Sequence, residues 1–105
     1  MLIDETTLNR LPQLYEQEGS PDPMIYAKIA TQDETWACYV AEAGKTGDEY
    51  TIFGLFVSKK WGHNWAQAPL SEVEEDLKRA RLDAQQIEDF KQECASILTG
   101  FHRRE

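Results

Sequence analysis

Cysteine and histidine are scarce in this chain of 105 residues, and their scarcity limits the metal and redox chemistry that it can support. The cysteines are Cys38 and Cys94, two histidines accompany them, and no CxxC pair occurs. Structural zinc sites need about four such ligands at close spacing, so we expect neither a metal nor a cofactor. A single disulfide can form from two cysteines, but two reduced thiols in a cytoplasmic protein are the favoured interpretation.

Long apolar runs are also absent. No run approaches the roughly 20 residues that a membrane-spanning helix needs, and the opening MLIDETT lacks the basic and apolar parts of a signal peptide. The mean hydropathy is -0.60 and 29 % of the residues are charged. We therefore predict a soluble, cytoplasmic protein that does not contact membranes, with residues 1–105 forming a single domain.

Basic residues are few, with 11 Lys and Arg against 19 Asp and Glu, and the formal net charge is -8. An acidic body repels phosphate backbones, so direct binding of nucleic acid is disfavoured. A protein partner with a basic surface suits such a body better. The alternative, that the acidity serves only solubility, remains open at this point.

The usual constellations of an enzyme are missing too. Catalysis generally needs a nucleophile with a base, a metal cluster or a phosphate-binding loop. His63, in the stretch WGHN, has no orienting carboxylate or nucleophile beside it in sequence, and His102 lies in the terminal stretch FHRRE. The segment AGKTGDE lacks the upstream glycine of a phosphate loop and joins two predicted strands as a hairpin turn. We predict a protein that is not an enzyme, with catalysis by His63 as the least favoured alternative.

Alternating apolar residues predict an antiparallel meander. Ile25, Ala27 and Ile29 would share one face of the first strand. The candidate strands are residues 24–31, 35–43, 50–59 and a short fourth strand around 64–68. Gly54, in the middle of the third strand, predicts a bulge or a close approach by a helix.

Helical spacing appears at both ends of the chain. Thr6 or Thr7 can cap a short first helix with Leu8, Leu11 and Tyr15 on one face, which the stretch GSPDP ends.

The period changes to 3.6 after the strands. Ser71 and Glu74 form a capping-box pattern at the start of a second helix. Asp83 would cap a last helix that runs to Gly100. Its buried stripe would consist of apolar residues three to four positions apart: Ile87, Phe90, Cys94, Ile97, Leu98 and Phe101. The predicted fold class is α+β: a three- to four-stranded antiparallel sheet with a short N-terminal helix and two C-terminal helices packed on one face.

The stretch YTIFGLFVSKKWGHNWAQ, residues 50–67, contains the best candidates for a binding site. Trp61, His63 and Trp65 alternate, so on a strand all three would share one face. Exposed tryptophan beside lysine and histidine is typical of protein interfaces. The alternative is structural, with one tryptophan packed under the C-terminal helix and the other covering the sheet edge.

Four acidic residues mark the start of the second helix: Glu72, Glu74, Glu75 and Asp76. Negative charge is favourable there against the helix dipole, which alone can explain the cluster. The spacing does not match a calcium loop, whose oxygen ligands alternate around a central glycine. The remaining interpretation is a charged patch for a basic partner.

Several short segments resemble one family. LPQLYEQE, YAKI, WACYVAE, IFGLFV and PLSEVEE follow in the order and spacing of a family of small proteins of unknown function on plasmids, phages and other bacterial mobile elements. The resemblance covers about residues 7–75. The segment SKKWGHNW departs from the family's more acidic sequence, and the C-terminal helices are not matched. The resemblance implies no activity, but it implies a setting in which small acidic proteins often block host nucleic-acid-handling machines.

Two functional hypotheses follow. The first is a protein-binding module, encoded by a phage or plasmid, that inhibits a host defence or nucleic-acid-handling protein by acidic mimicry, as anti-CRISPR proteins do. Its acidic cluster would be the charged patch, with Trp61, His63 and Trp65 as anchors. The second is a plasmid-maintenance or housekeeping adaptor that binds an unknown partner through the aromatic residues alone.

Overall fold

Strands dominate the part of the chain that the computed structural model describes, which is residues 2–17, 19, 21–60, 62–88, 90 and 92–95. Of these described residues, 46 % are in strands and 19 % in helices. In chain order the elements are α1 (Glu5–Arg10), β1 (Met24–Ile25), β2 (Ala27–Thr31), β3 (Trp36–Thr46), β4 (Glu49–Ser58), β5 (Gly62–Pro69), α2 (Leu70–Arg79), β6 (Ala84–Gln86) and β7 (Glu93–Cys94).

The main sheet has five antiparallel strands in the order β5-β4-β3-β2-β6. Its central part, β2 to β5, is the predicted meander, and the β3–β4 hairpin turns at Gly47, whose φ is 62°. β1 and β7 pair separately as a small antiparallel sheet. The alternating pattern thus predicted β3, β4 and β5, and it missed β6 and β7.

The predicted first strand, residues 24–31, is wrong as one strand, because the chain leaves the main sheet before Ala27 and forms β1 and β2 in two different sheets. Ile25 therefore packs in a different cluster from Ala27 and Ile29, with which it was predicted to share a face.

The predicted α+β class with two C-terminal helices is wrong. α2 is present, but the region assigned to the last helix contains β6, which pairs with β2, and β7, which pairs with β1. Phe90, which supplied part of the helical spacing, packs instead with Ala95 against Ile25 and Ala41. The apolar spacing in this region therefore belongs to short extended segments and not to a helix. The predicted end of that helix, Gly100, lies outside the described residues.

One face of the main sheet, called the inner face below, is covered by the two helices. Leu8 of α1 and Val73 and Leu77 of α2 are buried against Val40 and Ile52 of the sheet. Burial of such side chains contributes about 1.5 to 3 kcal/mol each, so this layer is the main source of stability.

Both cysteines are free thiols, which agrees with the interpretation favoured from the sequence. Cys38 is fully buried on the inner face, and its burial raises the pKa of the thiol far above the ordinary range. Since the thiolate is the reactive form, Cys38 is a core residue and not a nucleophile.

Gly54 faces a bulge in the neighbouring strand. The register between β3 and β4 shifts between Val40 and Glu42, and Val40 pairs with Gly54. A Cβ atom added to Gly54 would lie 2.3 Å from the carbonyl oxygen of Tyr39. The prediction of a bulge is confirmed, although the bulge is in the partner strand, and the close approach is made by backbone and not by a helix.

The predicted helix caps are wrong. Asp4, not Thr6 or Thr7, caps α1, and its carboxylate accepts a hydrogen bond of 2.8 Å from the backbone N–H of Thr7. That backbone hydrogen bond lowers the pKa of the Asp4 carboxyl. Tyr15, assigned to the apolar stripe of the helix, lies beyond it with a φ of 72° and is 63 % exposed.

The start of α2 is held by a distant residue. Pro69 is its N-cap and provides no side-chain hydrogen bond, so the capping box of Ser71 and Glu74 does not form. The hydroxyl of Ser71 donates to the carboxylate of Glu49 at 3.0 Å, and Glu74 accepts from the backbone N–H of Leu2 at 2.9 Å. The long-range partners replace the local pair because the hairpin turn before β4 lies beside the helix start.

A buried carboxylate fixes the segment between α1 and β1. Glu42 is only 3 % exposed, and its two carboxylate oxygens accept the backbone N–H groups of Tyr15 at 2.8 Å and Gln17 at 2.6 Å. The Gln17 side chain in turn bonds the backbone of Met24 and the carbonyl of Ala41. These contacts attach the loop to β3 and explain how an acidic residue is accommodated inside.

Candidate functional site

His63 and Trp65 lie together on the outer face of the main sheet, the face opposite to α1 and α2. Both are exposed residues of β5, and they pair across with Val57 and Leu55 of β4. Their sharing of one face was predicted from the alternation and is confirmed. Trp61, the third predicted anchor, lies outside the described residues.

Trp65 is held in a defined orientation by its neighbour. Its ring stacks on Phe53 of β4 with centroids 5.4 Å apart and an angle of 19° between the planes, while 39 % of the residue stays exposed. Next to this pair, Tyr39 of β3 is half-buried on the same face. We call His63, Trp65, Phe53 and Tyr39 the aromatic patch.

The border of the aromatic patch carries a positive charge with fixed partners. Lys28 of β2 places its Nζ 5.2 Å from the ring centroid of Tyr39 and 3.3 Å from the carboxylate of Glu34. The side chain of Lys28 is 16 % exposed, so its charge is directed to the ring and to Glu34 more than to solvent. The patch therefore offers mainly aromatic surface.

The acidic residues of α2 lie on the other side of the molecule. Val73 and Leu77 turn inward, so Glu72, Glu75 and Asp76 project away from the inner face of the sheet and are exposed. The structure therefore does not bring the predicted acids and the predicted aromatic anchors together. Any single partner would have to reach around the edge of the sheet to contact both.

The charge of the acidic cluster is partly compensated. Arg79 lies 3.0 Å from Asp76 and 3.7 Å from Glu75, and the Glu74 carboxylate is engaged by the N-terminal segment. Exposed ion pairs of this kind contribute little stability, but they reduce the negative field that a basic partner would meet. The ion pairs of α2 involve Glu75 and Asp76, and Glu72 is exposed.

A groove of about 470 Å³ separates α2 from the inner face beside β5. Its floor includes Trp36 and Phe56, whose ring centroids are 6.2 Å apart, and its rim includes the ion pair of Asp76 with Arg79. The groove is apolar with a charge-paired rim. It contains no arrangement of nucleophile and base, since His63 points from the opposite face.

The described residues also show no group of three or more histidine, cysteine or acidic side chains that could hold a metal ion. Within the same ranges, no helix is long and apolar enough to cross a membrane.

Phe53 and Tyr39 were missed as members of the candidate site. Their positions follow from the strand register, because residues paired across neighbouring strands share a face. Tyr39 pairs with Leu55 and Leu55 with Trp65, so correct strand alignment would have revealed Tyr39. Phe53 is two positions from Leu55 and lies on the same face for that reason.

No family model, no curated protein and no solved structure matches this chain. The resemblance to proteins of mobile elements therefore stays a prediction.

Proposed function

We propose that this protein is a non-enzymatic protein-binding module whose contact surface is the aromatic patch. The observation that carries the proposal is the exposed ring of Trp65 stacked on Phe53. An exposed tryptophan with a fixed ring is a suitable anchor, since it loses little conformational entropy when a partner covers it. The free thiols Cys38 and Cys94 support a cytoplasmic setting.

The expected contribution of Trp65 follows from its remaining exposed area. A tryptophan of which 39 % is exposed still offers roughly 100 Å² to a partner, which corresponds to about 2 kcal/mol when it is buried. This is the size of a typical interface hot spot. Because the interaction is apolar, it should persist at high salt.

We expect Trp65→Ala to weaken partner binding about 30-fold without unfolding the protein. The partner would be isolated with the wild-type chain as bait from the native host, and its affinity for both forms measured by calorimetry at low and high salt. Tyr15→Ala is the matched control, since Tyr15 is an exposed aromatic residue outside the patch, in the loop held by Glu42. Equal losses in the two variants would contradict the proposal.

A second candidate function is acidic mimicry by α2, in which a phage- or plasmid-encoded protein occupies the basic nucleic-acid channel of a host defence protein. The outward exposure of Glu72, Glu75 and Asp76 favours it. Complementary charge would steer such an encounter and make it sensitive to salt. Compensation by Arg79 makes this candidate the weaker one.

Charge reversal separates the two candidates. Under acidic mimicry, the triple variant Glu72→Lys, Glu75→Lys, Asp76→Lys loses at least tenfold in affinity at low salt, whereas binding through the aromatic patch leaves the affinity within about twofold. Glu74 is kept because its carboxylate accepts the Leu2 N–H. The measurement is the same calorimetric titration, with circular dichroism to verify that α2 is retained.

A further inference from the structure

The groove beside α2 results from the path of that helix across the inner face. α2 follows directly on β5, at one edge of the main sheet, and the chain after it joins β6 at the opposite edge. The helix therefore crosses the sheet diagonally and leaves the groove over the Gly62 end of β5 and the adjoining ends of β4 and β3. Trp36 and Phe56 lie there and are half-buried, whereas Cys38, which pairs with Phe56, is fully buried. The two aromatic rings thus keep apolar surface open in the groove.

One wall of the groove is built by the C-terminal end of α2. Arg81 follows the helix with a φ of 61°, a conformation that glycine usually provides. The backbone N–H of Leu82 donates to the carbonyl of Leu77 at 2.9 Å, and that of Arg81 donates to the carbonyl of Lys78 at 3.0 Å. In this Schellman motif the residue after the turn packs back against the last turn of the helix. Leu82 therefore lines the groove beside Leu77 and Ala80, and backbone strain of this kind is typical of ligand sites.

The charges that line the groove are already compensated. Asp76 and Arg79 lie 3.0 Å apart, and Arg79 also lies 3.7 Å from Glu75. An anionic ligand would compete with two carboxylates for Arg79, and a cationic ligand would compete with Arg79 for Asp76. A charged ligand would therefore lose its hydration without gaining a free counter-charge. Asn64 lines the same groove, is exposed, and has an amide that can donate and accept hydrogen bonds.

We propose that this groove binds a neutral, planar aromatic molecule that carries one amide or carbonyl group. Its volume of about 470 Å³ lies in the range of small-molecule sites. The ring of the ligand would lie between the Trp36–Phe56 floor and the wall formed by α2, and its polar group would meet Asn64. A peptide fits less well, because apolar walls offer no partners for its backbone N–H and C=O groups. The site goes beyond the proposed function, since it lies on the inner face and takes a small molecule.

Three ligands that share one ring system and differ in charge test the proposal. 2-Naphthamide is neutral at neutral pH, 2-naphthoate is its anionic counterpart and 2-naphthylmethylamine its cationic counterpart. Each would be titrated into the full chain labelled with nitrogen-15 and followed by NMR. With 2-naphthamide we expect saturable shifts of the Trp36 indole N–H and of the Leu77 and Ala80 amides, with a Kd on the order of 1 mM. The two charged compounds should bind at least fivefold more weakly.

A variant that fills the groove and a matched control complete the experiment. Ala80→Phe places a ring in the groove from an exposed position and should abolish the saturable shifts. Lys78→Phe adds the same ring at an exposed position of α2 beside β6 and should bind as the wild type does.

Three results overturn the proposal: no saturation of the shifts by 2-naphthamide, equal affinity for a charged compound, and unchanged binding by an Ala80→Phe variant that circular dichroism shows to be folded. None of these results involves the aromatic patch or a protein partner. Failure here is therefore distinct from failure of the proposed function.

Discussion

Gly54→Ala is expected to lower the free energy of unfolding by more than about 3 kcal/mol, because the new methyl group cannot be accommodated without moving β3. Its Cβ would lie 2.3 Å from the Tyr39 carbonyl oxygen and 3.0 Å from the Cα of Val40. Both neighbours are backbone atoms in the centre of the sheet, so rotation of a side chain cannot relieve the contact. Urea unfolding followed by tryptophan fluorescence would measure the loss.

Gly19→Ala is the matched control for that experiment. A Cβ on Gly19 meets no atom within 4 Å, and the residue is exposed. Its effect should stay within about 0.5 kcal/mol. If Gly54→Ala were as stable as Gly19→Ala, the bulge of β3 would not lie against Gly54 as described, and the register of the central strands would be wrong.

Glu42→Ala is expected to cost about 3 kcal/mol, because two backbone N–H groups lose their acceptor together. The variant removes the hydrogen bonds to Tyr15 and Gln17 and leaves a space beside β3. Glu42→Gln should cost about half as much, since the amide keeps one acceptor oxygen but turns a donor toward the other N–H. Chemical denaturation gives both values, and hydrogen exchange at the Tyr15 and Gln17 amides shows whether the loop detaches.

An exposed carboxylate provides the comparison. Glu75→Ala removes a surface ion pair of 3.7 Å with Arg79 and should change stability by less than about 0.5 kcal/mol. Equal stability of Glu42→Ala and Glu75→Ala, with unchanged exchange at Tyr15 and Gln17, would show that the buried carboxylate does not anchor the loop.

The segments on which the predicted resemblance rests meet at these two positions. LPQLYEQE contains Tyr15 and Gln17, which donate to Glu42 of WACYVAE, and Gly54 of IFGLFV faces Tyr39 of that same segment. Each of these contacts stabilises the fold. None of them involves His63 or Trp65, the exposed residues of the aromatic patch, and one involves the half-buried Tyr39. These segments therefore explain how the sheet is held together and not what it binds.

The meander could be predicted because the signals for its strands and turns lie within short stretches of the sequence. Ile29, Cys38 and Ile52 alternate with less buried residues, and the glycine of GKTGDE provides the turn. The anchors of the loop and of α2 could not be predicted, because Glu42 and Glu49 accept hydrogen bonds from residues more than 20 positions away. Local patterns at Ser71 and Glu74 pointed to a capping box that the distant partners displaced.

The last helix was mispredicted because spacing alone does not identify the structure that uses it. Ile87 was assigned to a buried stripe but is 38 % exposed, whereas Phe90 and Ala95 reach the cluster around Ile25 separately. Ala84–Gln86 is largely polar and joins the sheet through backbone pairing with β2, which leaves no alternation to detect. The sequence left open whether Trp65 is exposed or packed, and the structure shows it 39 % exposed on the outer face of β5.

The most direct test of the aromatic patch is hydroxyl-radical footprinting of the wild-type chain, alone and bound to the partner that it captures from its native host. Our account predicts that oxidation of Trp65 falls at least fivefold on binding, while oxidation of exposed Tyr15 is unchanged. Unchanged oxidation of Trp65 in the complex would contradict the account, as would failure to capture any partner at low or high salt.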